Sequence, residues 1–399
     1  MLVLGTGFFL TAKSGFFPIL KCGFVFKNTF GKILKDKSAF YGAATALGAT
    51  VGTGNIIGVS AAISVGGAGA VFWMWVGAIF GMMLKFAEAS LAVKYKGGAM
   101  VYIERAFGGK VFAVFWSICC VLASFGGGNM IQTNSAAAVF EKAFGTPPFI
   151  TGTIIAALTG TVLFCGAKAV LKTSSLLVPA MAIIYIFGCF AALFIFRENI
   201  IPAFKSIFES AFEPISIGGG IFGIITSKSL RAGISKGTFT HEAGMGSASL
   251  AHSESGKDPL TQGCWGIIEV FIDTIFVCSL TAMVILSAKA DSAESVFSSC
   301  FGNFGDIFLS VSMFLFALAA VIGWAFYGEK ALFYITKSKK STVLYRIFFC
   351  FCAILGSFAK LPLIWSITDI FNGLMIFPNL VAIIILSPEV FRIIKKEHR

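Results

Sequence analysis

Gly52-Thr53-Gly54-Asn55 lies in the middle of a long apolar run, residues 39–67, with Gly48 and Gly58 close on either side. A helix crossing lipid cannot leave backbone N–H and C=O groups unpaired, since each such group costs several kcal/mol in hydrocarbon. An unwound stretch at membrane depth is tolerated only where protein or a water-filled cavity receives the freed groups. Glycine supplies the unusual dihedrals and the close approach that unwinding needs. With the Thr53 hydroxyl and the Asn55 amide, such a break offers donors and acceptors to whatever fills the cavity. That arrangement holds a small zwitterion and a cation near the bilayer midplane. A glycine-rich packing face between helices is the competing reading of the same residues.

Working outward, the composition excludes an ordinary soluble domain: 57% hydrophobic residues, 13% charged and a mean hydropathy of +0.89. Apolar runs of about 20 residues recur along the whole length, each able to cross roughly 30 Å of hydrocarbon. Residues 1–399 therefore read as one polytopic membrane domain. The formal net charge of +12 sits in short loops between apolar runs, where Lys and Arg set topology, so no nucleic-acid partner is expected. The ten cysteines show no metal-ligand spacing, and most fall within spans as small apolar residues. His241, His252 and His398 are the only histidines and lie outside span centres. An enzyme is not expected, nor a resident cofactor or metal other than a transported ion. A channel would need repeated polar rings around a symmetric pore, which the pattern does not offer.

Eleven candidate spans follow in order: 2–12, 39–67, 70–93, 111–139, 149–171, 175–196, 215–233, 263–287, 304–335, 343–359 and 363–386. The first is too short to cross alone and reads as the second half of an extra helix whose first half is absent. Residues 13–37 hold six lysines spaced among phenylalanines, the pattern of an amphipathic segment on the cytoplasmic membrane surface. Loops alternate between strongly basic and neutral or acidic, which puts the carboxyl terminus, with a tail at 387–399, in the cytoplasm. The seventh span is also interrupted, at Gly218-Gly219-Gly220. It lies five spans after the first break, and an odd separation gives opposite insertion directions. Residues 39–196 and 215–386 then form inverted repeats of five helices each, a LeuT-type core with one extra amino-terminal helix.

Several stretches resemble the alanine/glycine:cation symporters, the sodium:alanine symporter family. Gly52-Thr53-Gly54-Asn55-Ile56-Ile57-Gly58-Val59 is followed by Gly69-Ala70-Val71-Phe72-Trp73-Met74-Trp75 and Lys85-Phe86-Ala87-Glu88. Then come Gly128-Asn129-Met130-Ile131-Gln132-Thr133-Asn134-Ser135, Glu242-Ala243-Gly244-Met245-Gly246-Ser247-Ala248 and Phe271-Ile272-Asp273-Thr274. Gly323-Trp324 with Tyr327-Gly328-Glu329, and Asp369-Ile370-Phe371-Asn372-Gly373 with Pro378-Asn379, complete the series. The resemblance implies an all-α LeuT-type fold in the plasma membrane of a bacterium or archaeon. It implies uptake of alanine or glycine coupled to a sodium ion or, in some members, a proton. Of the candidate substrate-binding residues Thr53, Gly54, Asn55, Gln132, Gly323 and Trp324, those that match the family's substrate contacts are Asn55, Gln132 and Trp324. The chemistry agrees: an amide of Gln132 can donate or accept, and Trp324 is a rigid wall for a pocket sized to a methyl group.

Some residues depart from the family's pattern. Where the family usually has a Ser-Thr pair before Gly323-Trp324, this chain has Ala319 and Ala320, so a cation at Ala320 would need backbone oxygens or water. Glu269 and Asp273 are four residues apart, on one helix face, and intramembrane carboxylates point to function. With Thr53 and Ala320 they are the candidate cation-coupling positions, and they motivate a proton-coupled alternative. His241, standing where the family usually has Asn, and Glu242 are expected near an inner gate, together with Gly218 and Gly219. Lys85 and Glu88, three apart, are expected as an ordinary ion pair with a snorkelling lysine. A non-transporting remnant is the remaining alternative.

Overall fold

The computed structural model describes residues 1–33, 37–212, 228–255 and 258–396, and every regular element among them is helical. Seven helices are long and apolar enough to cross a membrane, or eight if a pair bent by 53° counts as one span. Residues 2–12 fall in helix α1, Leu2–Lys13. The lysine-rich segment folds as three short helices, Phe17–Leu20, Cys22–Asn28 and Phe30–Ile33. Phe17 and Val25 are buried while Lys21 and Lys27 stay exposed, so one face is anchored and the other is charged.

The bent pair is α2, Lys37–Thr50, and α3, Val59–Gly66, with a π-helical turn Gly54–Gly58 between them. The bend falls at the glycines quoted at the outset. Next comes α4, Gly69–Lys94, whose 26 residues rise about 39 Å and are buried over most of their surface. Two further pairs are joined by π turns rather than bent: α5, Val111–Phe125, continues through Gly126–Met130 into α6, Ile131–Phe144. After α7 (Pro148–Phe164), α8 (Ala167–Ile195), α9 (Lys228–His241) and α10 (Ser249–Ser255), helix α11 (Pro259–Val270) runs through Phe271–Cys278 into α12, Ser279–Ala288. Asp258 caps α11 by accepting from the Leu260 and Thr261 amides, and Pro259 fills its first position. The long helices α13 (Asn303–Thr336), α14 (Lys339–Ser357) and α15 (Leu361–Lys396) complete the chain. α4 packs against both α9 and α11, the first along residues 70–81 and the second at Lys85 and Phe86; it is the spine against which the second half of the molecule is set.

The glycines at 218–220 lie outside the described residues, and the break that the structure does describe separates α9 from α10, at residues 242–248. Glu242, Gly244 and Gly246 there have φ of 54°, 94° and 80°, left-handed geometry that ends a helix. The tail expected at 387–399 is helical as far as residue 396. Its charges stand on one side of a stripe in which Val390 and Ile394, four apart, are buried. Glu389 there pairs with Lys94 and Tyr95.

Candidate functional site

At the first break, neutral amides take up the freed backbone. The Thr53 amide and hydroxyl both donate to Gln132 Oε1, at 3.0 and 2.8 Å, and Gln132 Nε2 donates to the Gly127 carbonyl at 3.2 Å. The Gly52 amide donates to Asn55 Oδ1 at 3.0 Å. Asn55 Nδ2 in turn donates to Asp273 Oδ1 at 2.7 Å, and the Thr274 hydroxyl donates to Asp273 Oδ2 at 2.7 Å. Asn55 and Asp273 are fully buried. The three π turns among the described residues meet here: one carries Asn55, one precedes Gln132, and one carries Asp273. A π turn shifts the register of a helix and frees a carbonyl, which is why such turns gather at functional sites.

Trp324 of α13 closes the other side. Its Nε1–H donates to Glu242 Oε1 at 2.9 Å, and Glu242 Oε2 accepts from the Ser247 hydroxyl. The indole lies flat against bare backbone: a Cβ on Gly128 would stand 2.2 Å from Trp324 Cγ. Between these groups is a cavity of about 20 Å³, lined among others by Thr50, Gly54, Gln132, Thr240, Glu242 and Trp324. That is room for roughly one water, so a larger solute enters only as these side chains move.

Thr53, Gly54, Asn55, Gln132 and Trp324 are thus brought together. Gly323 is not on the cavity; it faces α2, where a Cβ would meet Ala49 at 2.7 Å. Ala320 is buried beside Gly52 and presents only its methyl group. Glu269 and Asp273 do not act as a pair. Glu269 lies 2.9 Å from Nε2 of the buried His252, while Asp273 belongs to Asn55. The π turn beginning at Phe271 separates them by rotating Asp273 relative to α11. Gly218 and Gly219 lie outside the described residues. His241 and Glu242 are buried at the second break, directly after α9, which carries Lys228, Arg231 and Lys236.

Lys85 and Glu88 also differ from the expected ion pair. Both are buried, Lys85 does not reach the surface, and no ion pair joins them. Glu88 Oε1 instead accepts from the Gly244 and Gly246 amides, at 2.9 and 3.0 Å, and from Asn379 Nδ2 at 2.8 Å. One carboxylate oxygen of α4 therefore holds the second break open. Sequence reasoning missed this role, because Glu88 stands in the third candidate span and Gly244 and Gly246 follow the seventh, so nothing in chain order joins them. It also missed Phe239 and Thr240, which precede the break and line the cavity.

A profile of the sodium:alanine symporter family matches residues 1–398 of the chain. The sodium/alanine symporter AgcS of Methanococcus maripaludis is 38% identical over 97% of this chain and 91% of its own length. The probable sodium/glutamine symporter GlnT of Bacillus subtilis is 34% identical over 90% of this chain and 78% of its own. Among solved structures, MhsT in complex with L-phenylalanine superposes with a TM-score of 0.63 at 16% identity, covering 86% of this chain and 87% of that one. That likeness is one of fold.

Proposed function

The chain belongs to the sodium:alanine symporter family, whose members are amino-acid:cation symporters, and from that premise we propose that it takes up a small neutral amino acid, alanine or glycine, together with a cation. The observation that carries this reading is the meeting of the two breaks at one enclosed cavity with Gln132 and Trp324. The Gln132 and Asn55 oxygens sit on the Thr53 and Gly52 amides where the oxygens of a substrate carboxylate would bind. Glu242 and the freed carbonyls suit the ammonium group. The rigid Trp324 wall favours a small side chain, which separates this reading from the glutamine named for one relative.

Sodium is the favoured cation, held by backbone oxygens of the first break, the Thr53 hydroxyl and Asp273; hard cations take oxygen ligands. Proton coupling is the second reading. It is favoured by the buried Asp273 carboxylate hydrogen-bonded to the break, and by Ala319 and Ala320, which give α13 no side-chain oxygen there. We take the architecture to be two inverted five-helix repeats, 39–196 and 215–386, within eleven spans, the carboxyl terminus being cytoplasmic. Alternating access then comes from rocking of one group of helices about the broken pair.

The test is uptake of labelled alanine into proteoliposomes holding the purified chain, with sodium and proton gradients imposed separately and competing amino acids added. Sodium-driven uptake blocked by excess alanine or glycine is expected. Drive by protons alone moves the coupling to the second reading, and no uptake under either gradient overturns transport.

A further inference from the structure

Lys85 stands in α4 at 1% exposure. Gly266 of α11 lies against its backbone, and one turn away His241 packs on Gly81 of the same helix. Its ammonium has no hydrogen-bond partner and no ion pair among the described residues. A cation withdrawn from water without a partner is expensive, so something must offset it. Three buried carboxylates interact with it electrostatically: Glu88 on its own helix, Glu242 in the second break and Asp273 in the π turn beyond α11. His241 is the remaining titratable neighbour; its Nδ1 accepts the Ala243 amide, so the ring is held in one orientation there. Each carboxylate is already committed elsewhere, Glu88 to the Gly244 and Gly246 amides, Glu242 to Trp324 and Ser247, Asp273 to Asn55 and Thr274. The ammonium therefore acts on all three at a distance and is locked to none.

The charge balance of this region gives that arrangement a consequence. Three acids face one base in a place shielded from water, so the region carries surplus negative charge when all are ionised, and Coulomb interactions are stronger there than at a surface. A transported cation entering at Asp273 meets a field that Lys85 has already partly cancelled. We propose that Lys85 is a fixed internal cation that sets the ion coupling of the transport cycle: its ammonium supplies positive charge that would otherwise come from a further transported cation. The inference rests on the cation-coupled reading above and names the residue that tunes it. Lys85 touches neither substrate nor ion, and acts through the buried carboxylates around it.

The experiment measures labelled alanine uptake by the full chain in proteoliposomes against the concentration of whichever cation drives it, for wild type, Lys85→Met, Lys85→Arg and Glu88→Gln. Lys85→Met is expected to lower the half-activating cation concentration by about tenfold and to steepen the dependence. Lys85→Arg keeps the charge and should stay within about threefold of wild type. Glu88→Gln removes a negative neighbour while leaving an oxygen for the Gly244 and Gly246 amides, and should move the curve about tenfold the other way. An unmoved activation curve in Lys85→Met, with only the maximal rate or the yield reduced, overturns the proposal. If Lys85→Met does not fold, an unmoved curve in Glu88→Gln overturns it alone. A wild type without cation dependence removes the coupling reading and this inference with it, whereas a cation-driven wild type with unmoved variants removes only the role of Lys85.

Discussion

At the first break the chain is held by uncharged amides, Gln132 on Thr53 and Asn55 on Gly52. At the second it is held by carboxylates, Glu88 on Gly244 and Gly246, and Glu242 on Ser247 and Trp324. Both satisfy peptide groups that a membrane helix cannot leave bare. They differ in what they respond to. A hydrogen bond between neutral groups responds more weakly to nearby ions than a buried carboxylate, which feels every charge that enters or leaves. The first break, with Asp273 beside it, is suited to holding the solutes, and the second to responding to the charge that a bound ion brings.

That contrast can be broken in order of effect. Glu88→Ala strips one oxygen from three donors at once, and loss of one partner from such a buried charged network costs about 3–5 kcal/mol. Thermal unfolding in detergent should show it, and an unshifted midpoint would mean that the second break holds itself open. Gln132→Ala leaves the Thr53 amide and hydroxyl without their acceptor, a loss of about 1–3 kcal/mol. It should weaken alanine binding by about ten- to a hundredfold while leaving the cation dependence of uptake in place; a change in that dependence instead would erase the division between the breaks. Trp324→Phe keeps the ring wall and removes one donor to Glu242, worth about 1 kcal/mol. Uptake should weaken roughly fivefold, with larger amino acids still excluded. Glu88→Gln sharpens the comparison further: it keeps an acceptor for the amides but not the charge, so stability should stay near wild type while the cation curve moves.

The first break was legible because its glycines interrupt an apolar run, and nothing but a break or a packing face explains Gly52, Gly54 and Gly58 there. The break at residues 242–248 was not read from the sequence, for the opposite reason. Residues 228–258 are rich in Lys, Ser, Thr, His and Glu, a composition that resembles a loop, and only the packing of α9 and α10 around α4 reveals that it is interior. The π turns left little trace. Gly126-Gly127-Gly128 hinted at one of them, but Phe271–Cys278 contains no glycine, so the separation of Glu269 from Asp273 could not be read from their spacing. Lys85 was misread as snorkelling because sequence gives the spacing of charges but not their depth.

The most direct measurement is an experimental structure of the chain with alanine and sodium bound. The account predicts density for the amino acid between residues 52–55, Gln132, Glu242 and Trp324, with residues 51–58 still unwound from the axis of α2. Alanine bound elsewhere, or residues 50–60 forming one straight helix remote from Gln132 and Trp324, would contradict it.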